Sequence, residues 1–382
     1  MPTVLVIGGG IGGLTAAVAL RQKGFAADVY EAAPELLPVG KGIWVPTNAM
    51  QVLDRLGLGG AVAAAGWPLE RIEVWTAAGV RLTDVDLRPV EARYGWTTIS
   101  IHRAELVRVL ADALPPGALH LGKRCAGFAE DAGGVTARFE DGTQARGDLL
   151  VAADGIKSVV REGLFPGVRF RYAGQTCYRG VAEMELPPDL ARVCREVWGG
   201  AARFGFSAVG PRQVYWFAPV TAPADSPAPA GAELAGHLAA LYGAFPDPIP
   251  EVVRRTPPGE VIRTDLYDFA PLGRWWRGRV ALLGDAAHAM TPNLGQGGAQ
   301  AIEDAYVLAD KLAANASAEA AFAEYERVRL PKAKHVVRTA RRLGRLAHVR
   351  SPLLRAVRDA VIRWTPRRLN AKQFERLYAL DY

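Results

Sequence analysis

Between Thr3 and Glu31 the chain carries a pattern that few folds accommodate. Val4 to Ile7 is an unbroken apolar run, as expected for a parallel strand covered on both faces. Gly8-Gly-Gly10-Ile-Gly-Gly13 follows and holds G-x-G-x-x-G at Gly8, Gly10 and Gly13. A helix from Leu14 to Lys23, a stop at Gly24, a second strand from Ala27 to Tyr30 and a terminal acid, Glu31, complete a β-α-β unit. Gly8 allows the tight turn, Gly10 lets the backbone approach a pyrophosphate, and Gly13 lets the helix pack on the strand. Glu31 can accept hydrogen bonds from both ribose hydroxyls of an adenosine and would repel a 2′-phosphate, so this site reads as one for a dinucleotide other than NADP.

A doubly wound NAD domain would continue with further β-α-β units. Here a loop, Val39 to Asn48, leads instead into a helix, Ala49 to Leu56, and then into short strands near Ile72–Trp75 and Val80–Leu87. Ile99 to Arg103 leads into an amphipathic helix, Ala104 to Leu114. Arg103, at that helix start, reads either as a phosphate ligand or as a solvated surface residue. Residues 119–151 look like antiparallel strands, with Glu140-Asp-Gly142 as a hairpin turn. The strand Leu149 to Ala153 ends in Asp154-Gly155, and a helix starts over Ile156 to Arg161. This is either an ordinary tight turn or a second strand-Asp-Gly-helix junction.

From about Phe170 to Asp268 the pattern is β-rich. Ala202–Val209 and Gln213–Ala218, separated by Gly210-Pro-Arg212, read as a hairpin. Phe204, Phe206, Tyr215, Trp216 and Phe217 are sheet core on the plain reading; on the sharper one, one face walls a pocket for a flat, apolar molecule. Arg179 and Arg203 lie within strands, and a buried Arg needs an anionic or carbonyl partner, so either could orient a substrate.

A third junction lies at Gly278 to Ala305. Val280–Leu283 is a buried strand, Gly284-Asp285 a polar turn, and Gly295-Gln-Gly-Gly298 a glycine-rich helix start. A strand ending on Asp offers a carboxylate to a sugar-like hydroxyl. A helix opening on glycines offers free N–H groups to an anion. Together they suit a cofactor with a polyol chain and a ring that becomes negative, as reduced flavin does. His288, three residues after Asp285, reads as a structural histidine of this loop.

The three cysteines are far apart and form no C-x-x-C, which argues against disulfides or a zinc site and for a reducing compartment. The N-terminus runs straight into Thr3–Ile7, too short for a signal-peptide core, so the expected location is cytoplasmic. The net charge of +7 is uneven. Between Arg327 and Arg368, fourteen Lys or Arg and one Asp give +13, leaving −6 for the rest. Val336, Ala340, Leu343 and Ala347, then Leu354, Val357, Val361 and Trp364, recur at helical spacing. Both helices are expected to pack their apolar faces on the body and present basic faces to solvent, with peripheral contact to an acidic membrane surface as the sharper alternative. No recognition motif for nucleic acid accompanies the charge.

Three junctions in one order, Gly8-x-Gly10-x-x-Gly13 with Glu31, then Asp154-Gly155, then Gly284-Asp285 with Pro292 and Gly295-Gln-Gly-Gly298, resemble the single-component FAD-dependent monooxygenases of the para-hydroxybenzoate hydroxylase type. Within them the chain looks closest to the salicylate and urate hydroxylase group. The resemblance, which covers the chain to about residue 330, implies an α/β fold: a Rossmann-like FAD-binding domain (1–70, 98–169 and 270–330) interleaved with a mixed-sheet substrate domain (71–97 and 170–269); the basic C-terminal helices (331–382) rest on the sequence alone. It implies that Gly8, Gly10, Gly12, Gly13, Glu31 and Ala32 hold the ADP half of FAD. Arg103 would contact the pyrophosphate, and Asp154 and Gly155 would serve FAD and the nicotinamide nucleotide. Asp285 would bond the ribityl chain, while Gly295, Gln296, Gly297, Gly298 and Ala299 would cradle the pyrimidine edge and Pro292 would shape the loop. Arg179, Arg203, Tyr215 and Phe217 are the substrate-side residues, with Arg203 and Pro292 the candidates for a catalytic part.

The implied activity is a monooxygenation. NADPH or NADH reduces FAD, O2 adds to give a C4a-hydroperoxide, and a flat aromatic or lipophilic small molecule is hydroxylated or epoxidised by a monomer or homodimer. The cofactor carries the hard chemistry, consistent with the absence of a Ser/His/Asp set or paired carboxylates. Competing readings are a reductase or desaturase of the same fold, a halogenase, for which no W-x-W-x-I-P stretch is present, and a non-catalytic nucleotide-binding module.

Overall fold

Three apolar runs far apart in sequence lie side by side as neighbouring strands. The computed structural model describes residues 1–36, 41–365, 375–380 and 382, so the start of the Val39–Asn48 loop lies outside the described residues. A six-stranded sheet is ordered Trp276–Arg277, Val280–Leu282, Leu149–Ala152, Thr3–Ile7, Ala26–Tyr30, Leu119–His120. Ile7 pairs with Ala152, and Ala152 with Leu282, all parallel, so the carboxyl ends of three strands meet at one edge. These strands are covered on both faces, which is why Val4, Val6, Leu150, Val151, Val280 and Leu282 are all fully buried. The sheet's ligand side is therefore the rim where Gly8, Asp154 and Gly284 follow their strands.

The helix Ile11–Gln22 leaves the first strand and packs against the helix Gly297–Ala314. The approach is close: a Cβ on Gly12 would lie 2.7 Å from Leu283 and 3.0 Å from Ala301, and one on Gly13 would lie 1.9 Å from the Gly8 carbonyl. Only glycine fits there.

The expectation of antiparallel strands throughout 119–151 is corrected at both ends, Leu119–His120 pairing parallel with Val29–Tyr30. Cys125–Asp131, Gly134–Phe139 and Gln144–Gly147 form a three-stranded antiparallel sheet, whereas Leu149–Ala152 joins the parallel one. Alternation reports a strand but not its direction. The expected turn at Asp285 is a short helix, Asp285–His288, and the glycine-rich helix begins at Gly297, with Gly295 in the left-handed region at φ 62°.

A seven-stranded sheet is ordered Ile262–Phe269, Phe170–Glu183, Gln213–Thr221, Arg203–Gly210, Val193–Trp198, Arg71–Thr76, Arg81–Asp86. Side chains alternate across it. Tyr178, Phe204, Phe206 and Trp216 take one face and form a core with Leu234, Leu238 and Tyr242 of the helix Gly231–Tyr242. Arg179, Tyr215, Phe217 and Arg203 take the other. A small sheet, Gly42–Val45 with Thr98–His102 and Trp67–Leu69, lies against that second face, joined by Trp44 Nε1 donating to Ser207 Oγ at 2.9 Å.

The chain then forms a 30-residue helix, Ala318–Ala347, capped by the Ser317 side chain on Ala320 N at 3.2 Å. Its buried positions Tyr325, Arg329, Ala333, Val336, Val337, Ala340, Gly344 and Ala347 recur every three or four residues, as expected. The next helix, Pro352–Trp364, reverses the expectation. Its only buried residue is Arg358, while Leu354, Val357, Val361 and Trp364 are 59, 55, 61 and 80% exposed. The periodicity identified an apolar arc but carried no information on which way that arc points. Each aliphatic side chain left in water forgoes about 1.5–3 kcal/mol, so this orientation calls for a cause.

Candidate active site

At the first strand end, Glu31 accepts from Gly9 N at 2.5 Å and, beside Ala32, from Ala33 N at 2.9 Å, which fixes the carboxylate over the glycine turn. Gly8 sits at φ 107°, and nothing lies within 4 Å of a Cβ built on Gly10. The helix that starts there has no side-chain cap, so its first N–H groups have no capping side-chain acceptor. Such an uncapped, glycine-lined helix start suits a diphosphate.

The helix Arg103–Asp112 brings a second group, the Arg103 side chain, within electrostatic reach of Asp285, Arg179 and Tyr215. Its N-cap is His102, whose Nδ1 accepts from Ala104 N at 3.3 Å. Among the described residues no acid is hydrogen-bonded to the Arg103 guanidinium. Burial pulls its pKa down, opposed by Asp285, with Arg179 adding to the downward pull. A desolvated cation without a partner fits an anionic ligand.

Asp285 heads the third junction. It is open to solvent although protein surrounds it, so it lines an internal channel. Burial raises its carboxyl above the usual range, while His288 and Arg103 work the other way. Asp154, at the second junction, has one oxygen accepting from Val160 N at 3.3 Å and the other buried without a partner. Burial raises its pKa too. Arg161 ties the two junctions together. It donates to the carbonyls of Ile156 at 2.6 Å and Ala286 at 3.3 Å, under the Phe269 ring at 4.8 Å.

Beyond Asp285 the chain passes through Pro292–Leu294 and Gly295 to Gln296, Gly297, Gly298 and Ala299. This helix also lacks a side-chain cap. Its first turn is tightly backed: a Cβ on Gly298 would lie 3.1 Å from Ile43, and one on Gly295 3.2 Å from Trp44. Free N–H groups here suit a ring that gains negative charge.

A buried ionic cluster that sequence reasoning missed holds this rim. Asp304 accepts from Gly284 N at 3.1 Å, His288 Nε2 at 2.5 Å and Arg329 Nε at 2.8 Å. Arg329 also reaches Glu303 at 2.5 Å and Gln300 Oε1 at 2.7 Å, and Glu303 accepts from Asn48 at 2.6 Å and Lys332 at 2.9 Å. Burial works against the Asp304 carboxylate, yet His288 and Arg329 hold its pKa below the usual range. His288 is thus a structural residue. The signal that could have found the cluster was Arg329, a charge at the inward position between Tyr325 and Ala333.

Across the channel stands the second face of the large sheet. The Tyr215 ring lies on the Gly42 backbone, and Phe217 covers Gly205 and meets Trp44 edge-on at 5.4 Å. Burial pushes the Tyr215 hydroxyl up to about 12, against the pull of Arg179, its hydrogen-bond partner. Arg179 also donates to Thr264 Oγ1 at 2.6 Å. Arg203 shares this face but is 1% exposed, and its guanidinium is occupied: Glu196 at 2.8 Å, His348 Nε2 at 2.9 Å, and Asn293 of the Pro292–Leu294 turn.

A dinucleotide cradle at three adjoining strand ends, facing an aromatic sheet across a channel, defines a flavoprotein oxidoreductase. The chain belongs to the FAD binding domain family, whose model matches residues 1–340. It is 40% identical over 366 residues to aurachin C monooxygenase/isomerase of Stigmatella aurantiaca, covering 94% of each chain. It is 37% identical over 357 residues to FAD-dependent urate hydroxylase of Klebsiella pneumoniae, covering 90% of each. The crystal structure of Klebsiella pneumoniae HpxO complexed with FAD and uric acid matches with a TM-score of 0.91 at 34% identity, over 99% of this chain and 97% of that one. The protein is an FAD-dependent monooxygenase.

Proposed function

We propose that this enzyme uses NADPH or NADH and O2 to hydroxylate or epoxidise a flat aromatic or lipophilic small molecule. The observation that supports this reading best is the pairing of Tyr215 and Phe217, on one side of the channel, with Asp285 and the glycine helix start on the other. A planar ring held there stacks on Tyr215 and Phe217 and lies over the position of the flavin ring.

In this reading Gly8, Gly10, Gly12, Gly13, Glu31 and Ala32 hold the ADP half of FAD, and Arg103 neutralises the diphosphate. Asp154 and Gly155 serve the middle of the cofactor, and Asp285 bonds the ribityl chain. Gly295 to Ala299 face the pyrimidine edge with free N–H groups, which favours the anionic reduced ring. Bound FAD supplies the redox chemistry, accepting hydride and activating O2. The protein's own residues orient and shield. Arg179, bonded to Thr264 and Tyr215, engages a carbonyl or phenolate oxygen of the substrate. Tyr215 stays protonated at neutral pH and donates a hydrogen bond. Arg203 acts through Asn293, fixing the Pro292 turn beside the ring. The aromatic wall excludes water.

The test is oxygen consumption by the FAD-loaded enzyme with NADH and with NADPH over a panel of phenols, quinolones and polyenes. A substrate that accelerates uptake supports the reading. Conversion of a compound without oxygen uptake would favour the reductase reading.

A further inference from the structure

The terminal helix is amphipathic with the wrong side out. Leu353, Leu354, Val357, Val361 and Trp364 are 74, 59, 55, 61 and 80% exposed, and at 3.6 residues per turn they fall within an arc of about 100°. The opposite side meets the protein through Arg358 and, on the Leu82, Trp198 and Ala347 cluster, through Ile362. Arg358 is buried, donates to the carbonyls of Leu346 at 3.3 Å and Ala347 at 3.2 Å, and stacks over Trp198 at 5.2 Å. Asp359 and Arg355 lie beside it, partly covered. Four exposed guanidiniums, Arg342, Arg345, Arg350 and Arg363, flank the apolar stripe, and Leu346 extends it at 42% exposure. A second element contributes as well. Val80, in the turn after Arg71–Thr76, is 43% exposed and borders a cleft of about 610 Å³ whose far wall includes Trp364.

We propose that this face docks on an anionic lipid surface, the helix lying in the plane of the interface. Outward aliphatic side chains with a Trp at one end, rimmed by arginines, match the headgroup–acyl boundary, where apolar atoms leave water and cations meet phosphates. Among the described residues no helix is long and apolar enough to cross a membrane, so the contact is peripheral. A second copy of the chain fits less well. Residues 341–363 hold seven arginines against the single Asp359, and a two-fold contact would set these like charges face to face. The inference is independent of the substrate reading.

Flotation of the FAD-loaded full chain with phospholipid vesicles tests it. Binding to vesicles of phosphatidylglycerol and phosphatidylcholine in equal parts should exceed binding to phosphatidylcholine alone at least about tenfold, and should fall with added salt. Val357→Asp combined with Val361→Asp should abolish it with flavin content and melting temperature unchanged. Should that variant fold poorly, Arg342→Gln with Arg345→Gln should lower binding severalfold and reduce its salt dependence. Equal binding to neutral and anionic vesicles, or no binding to either, overturns the proposal. So does a wild-type dimer that the Val357/Val361 variant dissociates without any vesicle binding, or capture by an acidic protein alone.

Discussion

The Tyr215 ring rests on the backbone of Gly42, so closely that a Cβ on Gly42 would come within 2.2 Å of the ring carbon Cγ. These residues belong to different sheets, and their contact sets the gap between the cofactor side and the aromatic wall. Gly42→Ala should push the ring into the channel. The expected result is a fall of about ten- to a hundredfold in kcat/KM with flavin content retained, read by steady-state kinetics and the visible spectrum.

Among the described residues no acid is bonded to the Arg103 guanidinium, and burial works against its charge. Its partner is expected to be the FAD diphosphate, a charge-assisted contact of about 1.5–3 kcal/mol. Arg103→Ala should therefore weaken FAD binding by roughly ten- to a hundredfold, and Arg103→Lys by less, as measured by fluorescence titration of the apoprotein. An unchanged affinity would make Arg103 a bystander.

Asp304 gathers Gly284, His288 and Arg329 around one buried carboxylate. Asp304→Asn leaves Arg329 under-compensated and should destabilise the fold by about 3–5 kcal/mol. The pH dependence has a definite sign. The folded carboxyl lies below its unfolded value, so its contribution is present above the unfolded pKa of about 4 and is lost as pH falls below it. Thermal melts should show a steeper acid decline below about pH 4 in the wild type than in the variant.

His348 behaves as a buried neutral base. Burial, reinforced by Arg203, lowers its pKa to about 3. The unfolded imidazole protonates near the ordinary value of about 6.5, so between those limits the unfolded chain binds the extra proton and stability drops as pH falls. The contribution is up to about 1.4 kcal/mol per pH unit. His348→Gln should flatten the stability profile in that window, measured by urea melts. If the same variant raises KM with little change in flavin content, the chain from His348 through Arg203 to Asn293 also positions the site.

Much of this arrangement is legible in the chain because it is local. The turn from Gly8 to Gly13, the acid at Glu31 and the Arg203–Thr221 hairpin arm each follow from neighbours a few residues apart. The three strand ends could be recognised as separate junctions, but their adjacency comes from the Ile7–Ala152–Leu282 pairing, which no spacing encodes. The Asp304–Arg329 cluster escaped because periodicity counts apolar residues, and a charge at an inward position reads as noise. Gly42 gave no sign of Tyr215, which lies on another sheet. The helix Pro352–Trp364 shows the same limit: an amphipathic pattern defines an arc, and the packing of Arg358 over Trp198, with Ile362 beside it, decides that the arc faces out.

The central claim is that an oxygen atom from O2 is inserted into a ring or double bond held between Tyr215 and the flavin. Mass analysis of the product formed by FAD-loaded enzyme with NAD(P)H under isotopically labelled oxygen tests it most directly. One labelled oxygen atom is expected in the product. A product that gains hydrogen, or loses it, without any label would contradict it.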